Sequence, residues 1–311
     1  MNPDVSVVIP TYNRKQYLQQ AISSCFDGND DLNVEVVVVD DGSSDGTRDY
    51  LQQLNNEHVH PIFQEHQGGQ VARNHGMVEA QGKYIKFLDD DDWLATGGLA
   101  TEAEALEDSG ADVCCGGYKI VGPHEPRFRM TSSRPPNDFL AGVLEGTILT
   151  HPLSLTYSRE VIDNVRWDPE IVGRQDVQFA VEVALKEPAH TWVSDVVAYM
   201  RNHEGPRQRK RGAKQTNLTR LHAEILLRAV RKLKSEGRLD QGRRRAAAKG
   251  LWTWAHILSA YDWSMFCRIY DAICEVNPKF YPDRGNVTLE KMDKILGPRL
   301  VERLMYPFRG W

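Results

Sequence analysis

The sequence predicts an α/β protein: a doubly wound, mostly parallel sheet flanked by helices, followed by a helical C-terminal extension. Two observations carry this expectation. Over the first 120 residues, short apolar runs rich in β-branched residues alternate with stretches of helical apolar spacing, the pattern of a parallel sheet with crossover helices. From about Thr216 onward only the helical spacing remains.

The elements follow in order. Val5-Ser6-Val7-Val8-Ile9-Pro10 reads as a buried strand stopped by proline. Leu18, Ala21, Ile22, Cys25 and Phe26 then recur at helical spacing. Val34 to Val39 is nearly continuous in valine, as expected of a strand covered on both faces, and ends in Asp40-Asp41-Gly42-Ser43-Ser44-Asp45-Gly46. A short helix from Asp49 to Leu54, a strand from Val59 to Gln64, a helix from Gln70 to Ala80 and a strand from Tyr84 to Leu88 complete the alternation. After a Pro- and Arg-rich stretch near Pro123 to Pro136 come an apolar segment from His151 to Tyr157, a helix starting near Gln175 and a strand from Val196 to Met200. In the last part Leu218, Leu221, Ile225, Ala229 and Leu233 form one helical stripe.

The composition agrees with a globular chain and excludes several classes. The 311 residues are 41% hydrophobic and 26% charged, neither disordered nor collagen-like. No apolar run approaches the roughly 20 residues of a membrane span. Met1-Asn2-Pro3-Asp4 lacks the regions of a secretory signal, so a cytoplasmic protein is expected. Five cysteines form no CxxC pair, which predicts reduced thiols rather than a zinc site. The net charge is −5, yet residues 207–249 hold 15 Lys or Arg against three acids, a local charge of +12. Either that segment meets an anionic surface or a phosphate-bearing acceptor, or its charges are solvated helix faces.

In a parallel sheet, ligands lie beyond the carboxyl ends of the strands. That rule places Thr11-Tyr12-Asn13, Asp40-Asp41 and Asp89-Asp90-Asp91-Asp92 along one rim. Consecutive aspartates repel one another unless a cation compensates, and hard oxygen ligands suit Mg²⁺ or Mn²⁺ shared with a phosphate. A charged surface turn is the alternative. Gln67-Gly68-Gly69 and Arg73 add backbone amides and a fixed cation near the same rim.

Four motifs stand in this order: Val8-Ile9-Pro10-Thr11-Tyr12-Asn13-Arg14, then Val39-Asp40-Asp41-Gly42-Ser43-Ser44-Asp45-Gly46-Thr47, then Ala72-Arg73-Asn74-His75-Gly76, then Gly82-Lys83-Tyr84-Ile85-Lys86-Phe87-Leu88 with the four aspartates. The series resembles the inverting GT-A glycosyltransferases of family two, closely over residues 4–120 and more loosely to about 205. The resemblance implies a GT-A catalytic domain over 1–205, with 1–120 binding the nucleotide sugar and 121–205 the acceptor, and a helical extension over 206–311. It also implies a nucleotide-sugar donor, with UDP-linked sugars expected, a divalent cation (Mn²⁺ or Mg²⁺) and transfer with inversion to a hydroxyl of a glycan, lipid-linked or similar acceptor. No nucleic-acid partner is expected; the basic segment leaves open either peripheral contact with the inner face of an anionic membrane or solvated helix faces.

By the same resemblance, Pro10, Thr11, Tyr12, Asp41, Arg73, Asp89 and Asp90 fall on donor-binding positions. Tyr12 matches the aromatic residue packing on the base, and Asp41 the acid accepting from it. Asp91 is the candidate metal ligand. Asp89 and Asp90 face the ribose, the sugar or the metal's water shell, the register among the four acids being open. Arg201-Asn202-His203 resembles the family's Arg-x-His ending, with His203 at the metal or diphosphate, or else on a surface loop. Arg207, Arg209, Lys210 and Arg211 are either a lid over the diphosphate or solvated. An inverting reaction needs a base on the acceptor side. Asp176, at a helix start where the family carries Glu-Asp, fits that role, although Gln175 departs from the pattern. Two other readings are an inactive nucleotide-sugar-binding scaffold and a nucleotidyltransferase. The second would need a Gly-rich, Lys-containing phosphate loop after the first strand, and the sequence has none there.

Overall fold

A computed structural model describes residues 2–122, 127–129, 137–202 and 213–305. His203, the cluster Arg207, Arg209, Lys210 and Arg211, and Trp311 lie outside them. The chain divides into two compact units: Met1–Phe139 with Ile148–Gly205, and Leu140–Thr147 with Pro206–Trp311.

The first unit opens with β1 (Val5–Thr11), α1 (Lys15–Ser24), β2 (Val34–Asp40), α2 (Thr47–Gln53), β3 (Val59–Phe63), α3 (Gly69–Glu79) and β4 (Tyr84–Phe87). These four strands pair in parallel in the order β3-β2-β1-β4. Every residue of β1 and β2 is buried, which is why valine fills them without polar alternation. Helix α3 lies close against this sheet because Gly76 has no side chain; a Cβ there would collide with Val8 and crowd Val39.

Beyond β4 the sheet becomes mixed. The unit continues with β5 (Trp93–Leu94), α4 (Gly98–Ser109), β6 (Val113–Val121), β7 (Arg127–Arg129), α5 (Phe139–Glu145, running into the second unit), β8 (Leu155–Ser158), α6 (Arg159–Ile162), α7 (Gln175–Ala184) and β9 (His190–Arg201). Strand β8 pairs antiparallel with both β4 and β6, and β6 pairs parallel with β9. Among the described residues the sheet has nine strands, in the order β3-β2-β1-β4-β8-β6-β9-β5, with β7 on β6. The last strand is far longer than the Val196–Met200 segment that apolar pattern alone marks, because exposed Trp192 and Asp195 interrupt its alternation.

One polar pair sits inside this core. The Lys86 ammonium and the Glu102 carboxylate are fully enclosed. Lys86 Nζ donates to both Glu102 oxygens at 2.8 Å and to the Leu153 carbonyl at 3.1 Å. Burial pushes the Glu102 carboxyl up, and Lys86 draws it back. The five thiols are free; Cys25, Cys114 and Cys115 are buried, and burial pushes Cys115 up to about 12, so they are inert.

The second unit holds α8 (Ala213–Ser235), α9 (Gln241–Leu258), α10 (Trp263–Val276), α11 (Val287–Leu296) and α12 (Pro298–Met305). Asp240, Asp262 and Asn286 cap three of these helices with their side chains. Ile225, Ala229 and Leu233 of the sequence stripe are buried with Leu251, Phe266, Ile269 and Ile273. Arg284 is enclosed here: it forks onto Asp293 and reaches Glu302 at 2.6 Å, over the face of Trp252. Glu302 also meets His256 at 3.0 Å and Ser259 at 2.9 Å. No helix among the described residues is long and apolar enough to cross a membrane.

Candidate functional site

Sheet register brings the site together. Thr11 is level with Asp40 across β1 and β2, and Val8 is level with Phe87 across β1 and β4. Counting three residues on from that second pair puts Thr11 beside Asp90, and Thr11 Oγ1 donates to Asp90 at 2.8 Å. Asn13, in the left-handed region at φ 53°, accepts from the Ser44 amide at 2.7 Å and so clips the first strand's loop to the second's. The three strand ends surround a cavity of about 380 Å³, lined among others by Pro10, Thr11, Tyr12, Asp41, Arg73, Asp89, Asp90 and Asp91.

Asp41 is buried and organises the loop after β3. Its Oδ1 accepts from Gln64 Nε2 at 2.7 Å and the Gln67 amide at 2.8 Å; its Oδ2 accepts from the Gly68 amide at 2.8 Å. His66 Nδ1 lies 2.8 Å from the same Oδ2. A carboxylate offers about four lone-pair positions, so a base that hydrogen-bonds here displaces a protein donor. Of the two side-chain partners, His66 is the exposed one. It stacks on Tyr12 with ring centroids 4.1 Å apart, so the expected base platform and the expected base acceptor are both engaged by one imidazole that sequence reading did not single out. Gly68, at φ 97° and ψ 157°, has a backbone open only to glycine, which delivers its amide to Asp41.

The four aspartates have separate partners. Asp89 pairs with Arg73, which is itself buried over Trp167. Asp91 pairs with Arg14, whose guanidinium also lies 3.8 Å from Asp90. Asp92 accepts from the Arg201 amide at 2.8 Å, while Arg201 Nε donates to the Asp91 carbonyl at 3.0 Å. Burial alone would raise Asp89, but Arg73, His151 and Arg14 hold it below the usual carboxylate range. Burial pushes Asp90 up to about 6, against the pull of Thr11 and Arg14. Burial and the neighbouring Asp89 push Asp92 up to about 8. This rim holds more negative charge than its own cations settle.

His151 is the second residue that sequence reading missed. One ligand atom each from Asp89, Asp92 and His151 lie within 4.8 Å of one another. The Leu153 amide points at His151 Nδ1 (3.3 Å), so the neutral ring carries its proton on Nε2. A ring in that tautomer has no lone pair left for an ion, so the hard carboxylate oxygens are the donors that fit a divalent cation. Burial lowers the His151 pKa, and the charges of Asp89 and Asp176 oppose that. Asp176, half-buried in the first turn of α7, also raises Tyr157, behind burial and Cys115. Asp176 therefore stands within electrostatic reach of His151 and Tyr157. Gln175 turns to its own loop, accepting from the Gly173 amide at 2.8 Å. Asp40 is buried below the rim and accepts from the Ser43 amide at 3.2 Å, a turn-forming contact.

Known proteins share this fold. The first 349 residues of S. aureus TarS, solved in complex with UDP-GlcNAc, superpose with a TM-score of 0.67 at 20% identity, covering 99% of this chain and 92% of that one. At that identity the likeness speaks for the GT-A fold. A putative teichuronic acid biosynthesis glycosyltransferase, TuaG of Bacillus subtilis, is 32% identical over 178 residues, 56% of this chain and 69% of its own length. A GalNAc(5)-diNAcBac-PP-undecaprenol beta-1,3-glucosyltransferase of Campylobacter jejuni is 35% identical over 185 residues, 56% of this chain and 57% of its own length. The chain thus spans between half and about two thirds of such curated relatives. The family model described as glycosyl transferase family 2 matches residues 6–165, the stretch from the first strand through the aspartates to the segment carrying His151. That match covers half of the chain and all three strand ends of the rim, and with it the protein belongs to glycosyl transferase family 2 as a GT-A-fold glycosyltransferase.

Proposed function

We propose that the protein transfers a sugar with inversion from a nucleoside-diphosphate donor, a UDP-sugar by preference, to a hydroxyl of a lipid-linked glycan. The observation that carries this reading is one cavity reached by three parallel strand ends, with Asp176 within electrostatic reach of His151, which in turn neighbours Asp89. The UDP assignment draws support from the UDP-GlcNAc bound to TarS, and the lipid-linked assignment from the undecaprenol-linked glycan in the name of the Campylobacter enzyme. Residues 1–205 form the catalytic domain in this reading, with 1–120 holding the donor and 121–205 the acceptor, and 206–311 as a helical extension. The acceptor reading places the protein at the inner face of the membrane.

The base packs on Tyr12 beside Pro10 once His66 swings aside, and Asp41 takes its N–H in place of that imidazole. Thr11 fixes Asp90, and Arg73 fixes Asp89, so these two carboxylates meet the ribose or donor sugar at defined positions. A Mn²⁺ or Mg²⁺ held by Asp91, with His203 as a further candidate ligand, would offset the charge of the departing diphosphate. The acceptor oxygen forms its bond to the anomeric carbon on the face opposite the diphosphate. The bond from that carbon to the diphosphate oxygen breaks, the electron pair leaves with the nucleotide, and the acceptor proton passes to Asp176.

Thermal melts with UDP, GDP and ADP, each with and without Mn²⁺, test the donor assignment. A UDP-selective stabilisation that Mn²⁺ strengthens is expected. Equal response to all three nucleotides would remove the UDP assignment, and unchanged transfer in EDTA would remove the cation.

A further inference from the structure

We infer that the outer face of α11 and α12 is a membrane-docking surface whose occupant is an anionic lipid bilayer. The inference takes its purpose from the lipid-linked acceptor reading, but its observations are independent of it. Val287 is 67% exposed and Ile295 80% exposed, eight residues apart on one face of α11. Leu296 at the end of α11 and Leu300 and Leu304, one turn apart on α12, are exposed as well. Val301 and Glu302, on the other side of α12, are buried, so the helix is correctly seated with leucines left outside. An unpaired apolar surface of this kind marks a contact yet to be made.

Charge decides what makes the contact. Lys291, Lys294 and Arg303 are exposed on the same two helices. The acids of these helices do not balance them on the surface: Asp293 and Glu302 are buried against Arg284, and half-buried Glu290 accepts from the Arg284 amide. Large apolar side chains flanked by lysine and arginine compose the face of an interfacial helix. A second copy meeting the same face would set cation against cation, whereas anionic headgroups complement it and the long basic stems can reach them.

The more basic segment of the sequence is a weaker candidate. In α8 and α9, Lys234 pairs with Glu275, Lys249 with Glu145 and Arg220 with Asp262, and Arg244 donates to the Leu239 and Val276 carbonyls. Among the described residues of these two helices, only Ile257 is an exposed large hydrophobic.

Co-sedimentation of the full chain with phosphatidylglycerol/phosphatidylcholine vesicles at low salt tests this surface, with pure phosphatidylcholine vesicles as control. Binding to the anionic vesicles is expected, falling about tenfold or more in Leu300→Ser/Leu304→Ser and in Lys291→Glu/Lys294→Glu. Arg228→Glu/Arg231→Glu on α8 should weaken binding less than either. Unchanged melting confirms that each variant is folded. Absence of vesicle binding by the unaltered protein overturns the inference, as does a serine variant that binds normally or an α8 variant that loses more. Lipid-free self-association abolished by the serine pair would assign the face to a second copy instead. UDP-induced stabilisation of the same samples separates the readings: if it persists while vesicle binding fails, only the surface is wrong, and if it is absent, the donor assignment is.

Discussion

Arg284 in the helical unit and the aspartates at the strand ends are both charged groups taken out of water, but they are treated differently. Around Arg284, two carboxylates, a histidine and a hydroxyl close a network in which each carboxylate has hydrogen-bond partners and the guanidinium reaches both. Burial would lower the Arg284 pKa, and Asp293 and Glu302 more than reverse that. At the rim, four consecutive aspartates meet the side chains of Arg14 and Arg73, and Asp90 and Asp92 are pushed well above the carboxylate range. A network whose groups are all hydrogen-bonded holds a fold together. One that leaves carboxyls pushed above their usual range stores a demand for a cation or a proton that a ligand can meet, which suits a cavity rather than a core.

The contrast predicts that changes at the site damage function without damaging the fold, and changes in the network do the reverse. The largest effect belongs to Asp176→Asn, which keeps the shape and removes the base. Turnover should fall on the order of 10²–10⁴-fold with donor affinity little changed. Single-turnover transfer beside nucleotide binding in the same variant is the measurement, and loss of both together would show that Asp176 is not the base. Next is Arg284→Met, which strands two buried carboxylates. Stability should drop by about 3–5 kcal/mol, read from urea unfolding, while turnover per folded molecule stays normal.

Asp41→Asn sharpens the donor half of the contrast. The amide cannot accept from two backbone N–H groups, Gln64 and His66 as the carboxylate does, so UDP affinity should fall by about 1–3 kcal/mol with metal binding retained. Calorimetry with unchanged UDP affinity would exclude Asp41 from the base pocket. The smallest effect carries the opposite sign. Asp92→Asn replaces a carboxyl that burial and Asp89 hold protonated near neutral pH, while leaving an oxygen for the Arg201 amide. It removes the cost of suppressing that ionisation, so the ligand-free protein should gain about 1 kcal/mol at neutral pH and less in acid. A lower melting temperature would mean that the rim is not electrostatically overloaded.

Much of the fold was legible because it is local. Continuous valine in β2, the Pro10 stop and the four aspartates after β4 each announce themselves within ten residues, and strand-end logic assembled the rim from them. What stayed hidden depends on distance along the chain. His66 matters because it touches Tyr12 and Asp41, and neither spacing has a period. His151 reaches Asp89 only because β8 returns antiparallel beside β4, a pairing that no pattern in either strand specifies. Arg14 and Arg201 stand in motifs of the sequence, but nothing in their spacing says that both meet Asp91. The signal that could have found Arg14 was the demand itself: four aspartates in a row require a cation from somewhere nearby.

The enclosed Lys86–Glu102 pair has a consequence for how the acids find their places. Lys86 is level with Val7 on one side and Thr156 on the other, three residues ahead of Asp89. If β4 slipped by a single position, its side chains would change faces. The ammonium would leave Glu102 and the Leu153 carbonyl, and two uncompensated charges would remain inside, at a cost of several kcal/mol. The same slip would carry Asp90 away from Thr11. The pair thus works as a proofreader during folding, penalising every alignment of the strand except the one that delivers the aspartates to the cavity. Replacing it by Met and Leu should leave the melting temperature nearly intact while the amide signals of residues 88–92 split in NMR spectra, a loss of fidelity rather than of strength.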